Sequence, residues 1–382
     1  MTRPLRPLAV PTGPAVLELL PRIADALEGR GPAWLPVPAS DERETARLVE
    51  ALLPGGPVDS STVLVMATSG STGAPKGALL SAAALRASGS GTRDHLGGAG
   101  TWLLALPAQH VAGMQVLVRS VLAGTEPVVI SPGAAAAELE AAIARLPSGR
   151  RYGSLVPTQL VAALDHPGAT AALAGLDALL LGGAATPPAL HARATAAGIR
   201  VVRTYGMSET CGGCVYDGVP LDGVDVRIED SRVLLGGATL AAGYRGQPGH
   251  PAWAEPGWFR TDDAGVLDAN VLTVLGRLDD AITTGGLTVV PQLVEAALAT
   301  HPGVRECVVL GVPDEHWGHR VVAVVVPTTP APTLDELRDH VGATLDRSAA
   351  PRELHLRESL PLRGPGKVDR RALLDELTRP RG

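Results

Sequence analysis

Residues 61–77 read STVLVMATSGSTGAPKG. The first part, 61–67, is a short β-branched apolar run and predicts a buried strand. It runs directly into a loop of glycine, serine and threonine at 68–77 (TSGSTGAPKG), and Ser81 is placed to cap a helix beyond it. A strand, a glycine-rich loop and a helix make a phosphate-binding arrangement. Glycines let backbone N–H groups approach phosphate oxygens, hydroxyls add donors, and a helix N-terminus favours negative charge. Thr68, Ser69, Ser71 and Thr72 supply hydroxyls, Gly70 and Gly73 the close approach, and Lys76 a cation. The rival is the P-loop of nucleotide hydrolases, G-x-x-x-x-G-K-[ST]. Counted from Gly70, it wants glycine where Pro75 stands and a hydroxyl where Gly77 stands, so it fails twice.

Upstream, apolar positions recur at helical spacing over 16–27 and 46–53, and 54–59 is a turn. Downstream the pattern alternates. Strands are expected at 102–106, 126–130, 154–156, 178–181 and 199–203, with helices at 111–122, 134–146, 157–164 and 188–197 between them. This rhythm predicts an α/β fold with a mostly parallel sheet covered on both faces. After Tyr205 the texture changes to short strands and turns (224–228, 233–235, 271–275), a small β subdomain. A second unit starts after the 276–279 stretch, with a helix at 291–299, strands at 306–311 and 320–326, a proline-rich link at 327–333 and helices at 334–345 and 370–377. The expected organisation is therefore a large N-terminal domain of layered sheets, residues 1–277, and a small mobile α+β C-terminal domain, residues 278–382.

Composition narrows the function. The net charge of -6 argues against a binder of nucleic-acid backbones. No apolar run approaches the roughly 20 residues of a bilayer span, and residues 1–10 lack the apolar core of a secretory signal; the expected location is the cytoplasm. Three cysteines make no disulfide framework, and the C-x-x-C at 211–214 has no second pair to complete a zinc site, so it reads as two reduced thiols. The chain has 31 arginines but only two lysines, Lys76 and Lys367. Lysine is a compact point charge where arginine is a planar fork, so two isolated lysines suggest positions the fork does not fit.

TSGSTGAPKG resembles the phosphate-loop signature of the adenylate-forming superfamily, which includes acyl- and aryl-CoA synthetases, adenylation domains and luciferases. Further motifs follow in the order of that family: TYGMSET at 204–210, GWFRTDDAG at 257–265, GRLDDAITTGGLTVVPQLVE at 276–295 and PLRGPGKVDRRAL at 361–373. The resemblance implies that ATP and an acid form an acyl-AMP, and that a thiol, usually coenzyme A, then displaces AMP. It implies that residues 68–73 and Lys76 cradle the β- and γ-phosphates. Tyr205 lies against adenine with Gly182, Gly183 and Ala184 lining the same slot, Ser208 contacts the α-phosphate, and Glu209 holds Mg2+. Asp263 takes the ribose hydroxyls, with Arg277 reaching ribose or phosphate. Asp279 is the hinge, and Lys367 neutralises charge at the transferring centre. Asp262 stands where the family has glycine.

The acid is read from 106–119, LPAQHVAGMQVLVR. His110 falls where the family has an aromatic or histidine beside the reacting carboxylate. Arg119 follows nine residues later in an apolar helix; a buried charge needs an anion, either an internal carboxylate or a second carboxylate on the substrate. The H-x-x-G-x-x-x-x-x-R pattern with Gly113, the SLVPTQL of 154–160 and the YGMSETCGG of 205–213 with Gly206 resemble the o-succinylbenzoate–CoA ligase branch of menaquinone biosynthesis. Ala112 departs from the serine frequent there. The alternatives are another acyl- or aryl-acid–CoA ligase and a non-catalytic nucleotide-binding relative. The partners implied are a small-molecule acid, ATP and coenzyme A, with no nucleic acid and no membrane insertion; a homo-oligomer is left open.

Overall fold

The computed structural model describes residues 1–53, 55–68, 75–363 and 367–378, with Leu362, Arg363 and Lys367 described in their backbone alone. The first sheet places Leu5–Val10 (β1), Ala33–Pro38 (β2), Thr62–Thr68 (β3) and Lys76–Ser81 (β4) side by side, parallel until the last pair. In β3, successive side chains alternate between two cores. Leu64 and Met66 join Ile23 of helix Leu20–Leu27 (α1), while Val65 joins Leu48 and Leu52 of helix Glu42–Leu52 (α2).

The helix expected from Ser81 is present with Ser81 as its cap, but a strand not expected from the sequence stands between it and the loop. The glycine-rich loop closes a hairpin, with Thr68 opposite Lys76 and Ala67 opposite Gly77 in an antiparallel ladder. Helix Ala82–His95 (α3) begins only after β4, with Ser81 Oγ accepting from the Ala84 N–H at 3.1 Å as its cap. Ala78 and Leu80 are fully buried at a spacing of two, the strand period that a run this short does not announce. Lys76 is thus presented by a strand, not by a helix N-terminus.

The second sheet contains Thr101–Leu104 (β5), Val128–Val129 (β6), Arg151–Leu155 (β7), Ala178–Leu181 (β8), Val201–Met207 (β9), Gly212–Tyr216 (β10) and Val219–Pro220 (β11), in the order β11-β10-β9-β8-β7-β5-β6. Strands β5 to β9 are all parallel. Helices Val111–Ala123 (α4), Ala136–Ala144 (α5), Pro157–Leu164 (α6), Pro167–Ala174 (α7) and Pro188–Ala196 (α8) make the crossovers. Every side chain of β8 is buried, as a strand covered on both faces requires. A third sheet of Val224–Glu229 (β12), Arg232–Gly237 (β13), Trp258–Asp268 (β14) and Val271–Arg277 (β15) is an antiparallel meander. Several expected spans shift, among them the following three. The strand at 126–130 shrinks to β6, since Pro127 has no N–H for a ladder. The strand at 199–203 becomes β9 and runs on through Tyr205. Residues 16–27 divide into a 3-10 segment, Gly13–Leu19, and α1, which opens on Pro21.

Residues 282–377 build cores from their own side chains. Ile282–Thr284 (β16) and Leu287–Val289 (β17) form a hairpin, followed by Pro291–Leu298 (α9), Val304–Asp314 (β18), Gly318–Pro327 (β19), Leu334–Gly342 (α10) and Glu353–Leu356 (β20). The hairpin Leu362–Arg363 (β21) to Lys367–Val368 (β22) and the helix Arg370–Leu377 (α11) complete the unit. The strands lie in the order β17-β16-β19-β18, with β20 beside β19. No helix among the described residues is long and apolar enough to cross a membrane.

One ion pair ties α11 to α9. Arg370 Nη2 donates to both carboxylate oxygens of Glu295, at 2.6 and 2.8 Å, while the Val309 N–H donates to Glu295 Oε1 at 2.7 Å. Removing the guanidinium leaves a mostly buried carboxylate with one backbone donor. Arg370→Met should cost about 2 kcal/mol of stability, read as a lower urea midpoint for unfolding.

Candidate active site

The carboxyl ends of β5, β7, β8 and β9 converge on one edge, where ligands bind in open parallel sheets. Gly182, Gly183 and Ala184 follow β8. A Cβ on Gly182 would stand 2.3 Å from Thr204 Oγ1, and one on Gly206 would stand 2.1 Å from the Gly212 carbonyl, so the backbones here approach more closely than any side chain permits. Gly113 is similar: its Cβ would lie 2.4 Å from the Pro107 carbonyl, at the point where α4 packs on the loop after β5. Gly113 and Gly206, expected to touch the acid, thus each have a packing duty. His110 is exposed at the N-cap of α4.

Strand β9 ends in the motif residues themselves. The Tyr205 hydroxyl donates to Asp263 Oδ2 at 2.7 Å. Arg277 Nε lies 3.7 Å from Asp263 Oδ1, and the guanidinium forks onto Asp279 at 2.8 and 2.7 Å. The adenine and ribose candidates and the hinge candidate therefore form one continuous polar chain. Burial holds the Asp263 carboxyl above the ordinary aspartate range, partly offset by the Tyr205 hydroxyl and the Arg277 charge. The bond to Asp279 holds the Arg277 guanidinium above its ordinary range.

Beyond β9, Ser208 and Glu209 are buried. Ser208 Oγ donates to the Ala67 carbonyl at 3.4 Å, which sets it beside the end of β3 and Thr68. Glu209 Oε1 accepts from the Tyr244 hydroxyl at 2.6 Å. Burial pushes the Glu209 carboxyl up, against the Tyr244 bond and the nearby Lys76 and Arg277 charges. Lys76 Nζ stands 5.3 Å from the centre of the Tyr244 ring. Among the described residues no group of three metal-ligating side chains is gathered. A lone hard carboxylate suits magnesium, which commonly takes its other ligands from phosphates and water.

Tyr244 escaped the sequence reading. The segment around it pairs with β4, through the Leu79 N–H to the Gly243 carbonyl at 2.9 Å and the Arg245 N–H to the Gly77 carbonyl at 2.7 Å, and the Ala241 N–H donates to the Glu209 carbonyl at 2.8 Å. The aromatic scarcity was the available signal: Tyr205 and Tyr244 are two of only four tyrosines. The sole phenylalanine, Phe259, packs with Trp253 and Tyr244 behind the site.

Arg119 lies elsewhere. Nine helical residues separate it from His110, a rise of about 13 Å. It is 7% exposed, its guanidinium sits 4.9 Å from the Trp102 ring centre, and Nη2 donates to the Tyr216 hydroxyl at 3.3 Å. Its Nε is buried without a partner, and no carboxylate among the described residues pairs with it. The internal-anion alternative therefore has no candidate among those residues. Asp262 is exposed and faces Arg232 at 3.3 Å and Arg277 at 3.8 Å. Cys211 and Cys214 are fully buried, and burial pushes the Cys214 thiol up to about 12. Of the remaining candidates, Ser69, Gly70, Ser71, Thr72 and Gly73 lie outside the described residues. Lys367 is described by its backbone, opposite Arg363.

Residues 23–240 match the AMP-binding enzyme family and residues 293–367 match the AMP-binding enzyme C-terminal domain. A probable 2-succinylbenzoate–CoA ligase of Mycobacterium tuberculosis is 57% identical over 378 residues, covering 97% of this chain and 98% of its own. Among solved structures, an E. coli MenE variant with bound OSB-AMS superposes with a TM-score of 0.77 at 27% identity, covering 99% of this chain and 88% of its own. ATP-bound MatB from Rhodopseudomonas palustris, at 21% identity and a TM-score of 0.84 over 98% of this chain and 89% of its own, shares the fold.

The buried Asp263 carboxyl gives a stability test. Its native state holds a proton more tightly than the unfolded chain does, so its contribution falls as pH rises from the ordinary aspartate range through the raised native value. Asp263→Asn removes that loss and leaves an acceptor for Tyr205. Without ligand it should unfold at a higher temperature than the wild type at pH 7, the gap closing below the ordinary aspartate range.

Proposed function

This chain belongs to the AMP-binding enzyme family, and on that premise we propose that it adenylates o-succinylbenzoate and transfers the acyl group to coenzyme A for menaquinone biosynthesis, in the cytoplasm. It is an AMP-forming acid–CoA ligase. The observation that carries the reading is the meeting of Lys76, Glu209 and the Tyr205–Asp263–Arg277 chain at one sheet edge. The 57% identity across nearly the whole chain supports the choice of acid.

In the first step a carboxylate oxygen of the acid attacks the α-phosphorus of ATP. A new O–P bond forms, the bond to the bridging oxygen breaks, and pyrophosphate leaves with the electron pair. Catalysis of this kind rests on positioning and on stabilising spread negative charge, so no activated nucleophile is needed. Thr68, the loop of Ser69, Gly70, Ser71, Thr72 and Gly73, and Lys76 hold the leaving phosphates. Ser208 donates to the α-phosphate, and Glu209 would hold Mg2+, whose charge would offset that of the phosphates. Tyr205 flanks adenine above Gly182, Gly183 and Ala184. Asp263 accepts from the ribose hydroxyls, as an ionised carboxylate can, with Arg277 alongside. His110 stands beside the reacting carboxylate, and Lys367 neutralises charge growing between it and the α-phosphate.

In the second step the thiol sulfur attacks the acyl carbon, the bond to the AMP oxygen breaks, and the thiol proton goes to solvent. For this step residues 278–382 rotate about Asp279 as a mobile domain, withdrawing Lys367 and bringing the 283–288 hairpin to the thiol. Gly113 and Gly206 let the acid approach the backbone. Arg119 receives the second carboxylate at the far end of an acid pocket along α4. The support for that role is its burial, its unpartnered Nε and the lack of a paired carboxylate among the described residues.

Acid-dependent pyrophosphate release tests the reading. o-Succinylbenzoate should be turned over far better than benzoate or octanoate; no release with it would refute the choice of acid. Lys367→Ala should slow adenylation by about 100-fold or more yet still convert supplied acyl-AMP to thioester. Arg119→Met should raise KM for o-succinylbenzoate by about tenfold and leave that for benzoate nearly unchanged.

A further inference from the structure

The hairpin between β16 and β17 turns at Gly285 and Gly286, both at positive φ (58° and 80°), as a two-residue type I′ turn requires. The turn and its neighbours Thr283, Leu287 and Thr288 are exposed, with Leu287 at 53%. A bare glycine turn has little stiffness of its own, since glycine has the widest backbone freedom.

A second turn stiffens it. Between β18 and β19, Asp314 Oδ1 accepts from the His316 and Trp317 N–H groups, at 3.0 Å each. The Trp317 carbonyl in turn accepts from the Gly285 N–H at 2.9 Å. A Cβ on Gly285 would lie 3.0 Å from the indole Cε3, so the glycine backbone rests directly against the ring. The Arg352 guanidinium stacks on the same indole, 3.7 Å from its centre, with Nε buried and unpartnered. The Arg352 N–H is fixed to the Val321 carbonyl at 2.8 Å, which anchors the stack to β19.

We infer that the Trp317–Arg352 stack is a positioning device that holds the Gly285–Gly286 turn in the shape needed for thioester formation. This rests on the proposed role of the 283–288 hairpin in the second step. Trp317 contacts no reacting atom; it acts through Gly285. Loss of the indole frees the turn on its exposed side, while β16 stays paired to β19 through Thr284 and Gly318. Adenylation does not use the turn, so the two half-reactions separate.

The experiment measures both half-reactions on the full chain: acid-dependent pyrophosphate release, and thioester formation from supplied o-succinylbenzoyl-AMP and coenzyme A. Trp317→Ala should slow thioester formation about tenfold while adenylation stays within about twofold. Trp317→Phe keeps a flat ring and should recover most of the rate, and Arg352→Ala should fall between the two. Unchanged thioester formation in Trp317→Ala overturns the inference. An equal fall of both half-reactions in Trp317→Ala and Arg352→Ala also overturns it, because the stack would then only be holding the domain together. A wild type that makes no thioester with coenzyme A overturns the functional reading and, with it, the inference.

Discussion

A carboxylate buried away from water costs several kcal/mol unless its oxygens find donors and its charge finds company. Glu209 is such a group, 6% exposed, and much of the site follows from how it is accommodated. Its donor is the Tyr244 hydroxyl, on a segment bonded along the backbone to β4. Strand β4 begins at Lys76, whose ammonium lies over the same tyrosine ring. Three stretches of chain therefore meet around one buried acid, with Glu209 bonded to the Tyr244 hydroxyl and the Lys76 ammonium 5.3 Å from the centre of the same ring. A carboxylate and an ammonium held this close would suit the phosphates and the cation proposed for the site.

The site was legible where residue type and chemistry coincide, and illegible where backbone geometry decides. Lys76 stands out in composition, while Glu209, Tyr205, Asp263 and Arg277 are named by motifs that resemble those of a known family; the structure links Tyr205, Asp263 and Arg277 in one polar chain and sets Lys76 and Glu209 against Tyr244. Tyr244 could not, since its position depends on hydrogen bonds between a loop and β4 that leave no pattern in sequence. The hairpin form of the glycine-rich loop was hidden for the same reason. Three apolar residues, 78–80, are too few to announce a strand, so the sequence leaves them unassigned between the loop and the helix that Ser81 caps. The alternating strands and helices of the large sheet were plain, because a strand such as ALLL at 178–181, buried on both faces, has no polar residue to confuse its period.

Two glycines and an arginine show how one residue can satisfy two readings. Gly113 and Gly206 are needed for close backbone approach even with no ligand present, so packing alone would keep them. Arg119 is the opposite case. Nothing in the packing of α4 requires a guanidinium; an apolar side chain would fill the space beside Trp102 without a desolvation penalty. Its guanidinium meets the Tyr216 hydroxyl and the face of Trp102 but leaves Nε buried without a partner, which is the feature the proposed ligand role rests on. Asp262, in the glycine position of the motif, falls between these cases. Its carbonyl accepts from the Leu278 N–H at 2.7 Å, while its side chain points to solvent between two arginines. The backbone at this position has no positive φ, so a side chain is tolerated there.

The small C-terminal sheet constrains how the two steps are ordered. Along β18 and β19, Val309, Val321, Ala323 and Val325 face one core with Val294, Leu298 and Leu337, while Val308, Leu310, Val324 and Val326 face another with Leu373 and Val368. The β21–β22 pair that carries Lys367 is tied to the second face through Val368, and the Arg370–Glu295 pair joins α11 beyond it to α9 of the first core. The Gly285–Gly286 turn belongs to β16 and β17 at the edge of the sheet, beside the first core, which holds Ile282 and Val289. The backbone of Lys367 lies in the strand pair packed on the second core, while the glycine turn joins edge strands beside the first. If the lysine serves adenylation and the turn serves the thiol, the steps must alternate by reorienting the whole unit. The polar chain from Tyr205 to Asp279, which crosses the junction near residue 277, is then the part of the nucleotide site that such a rotation disturbs first.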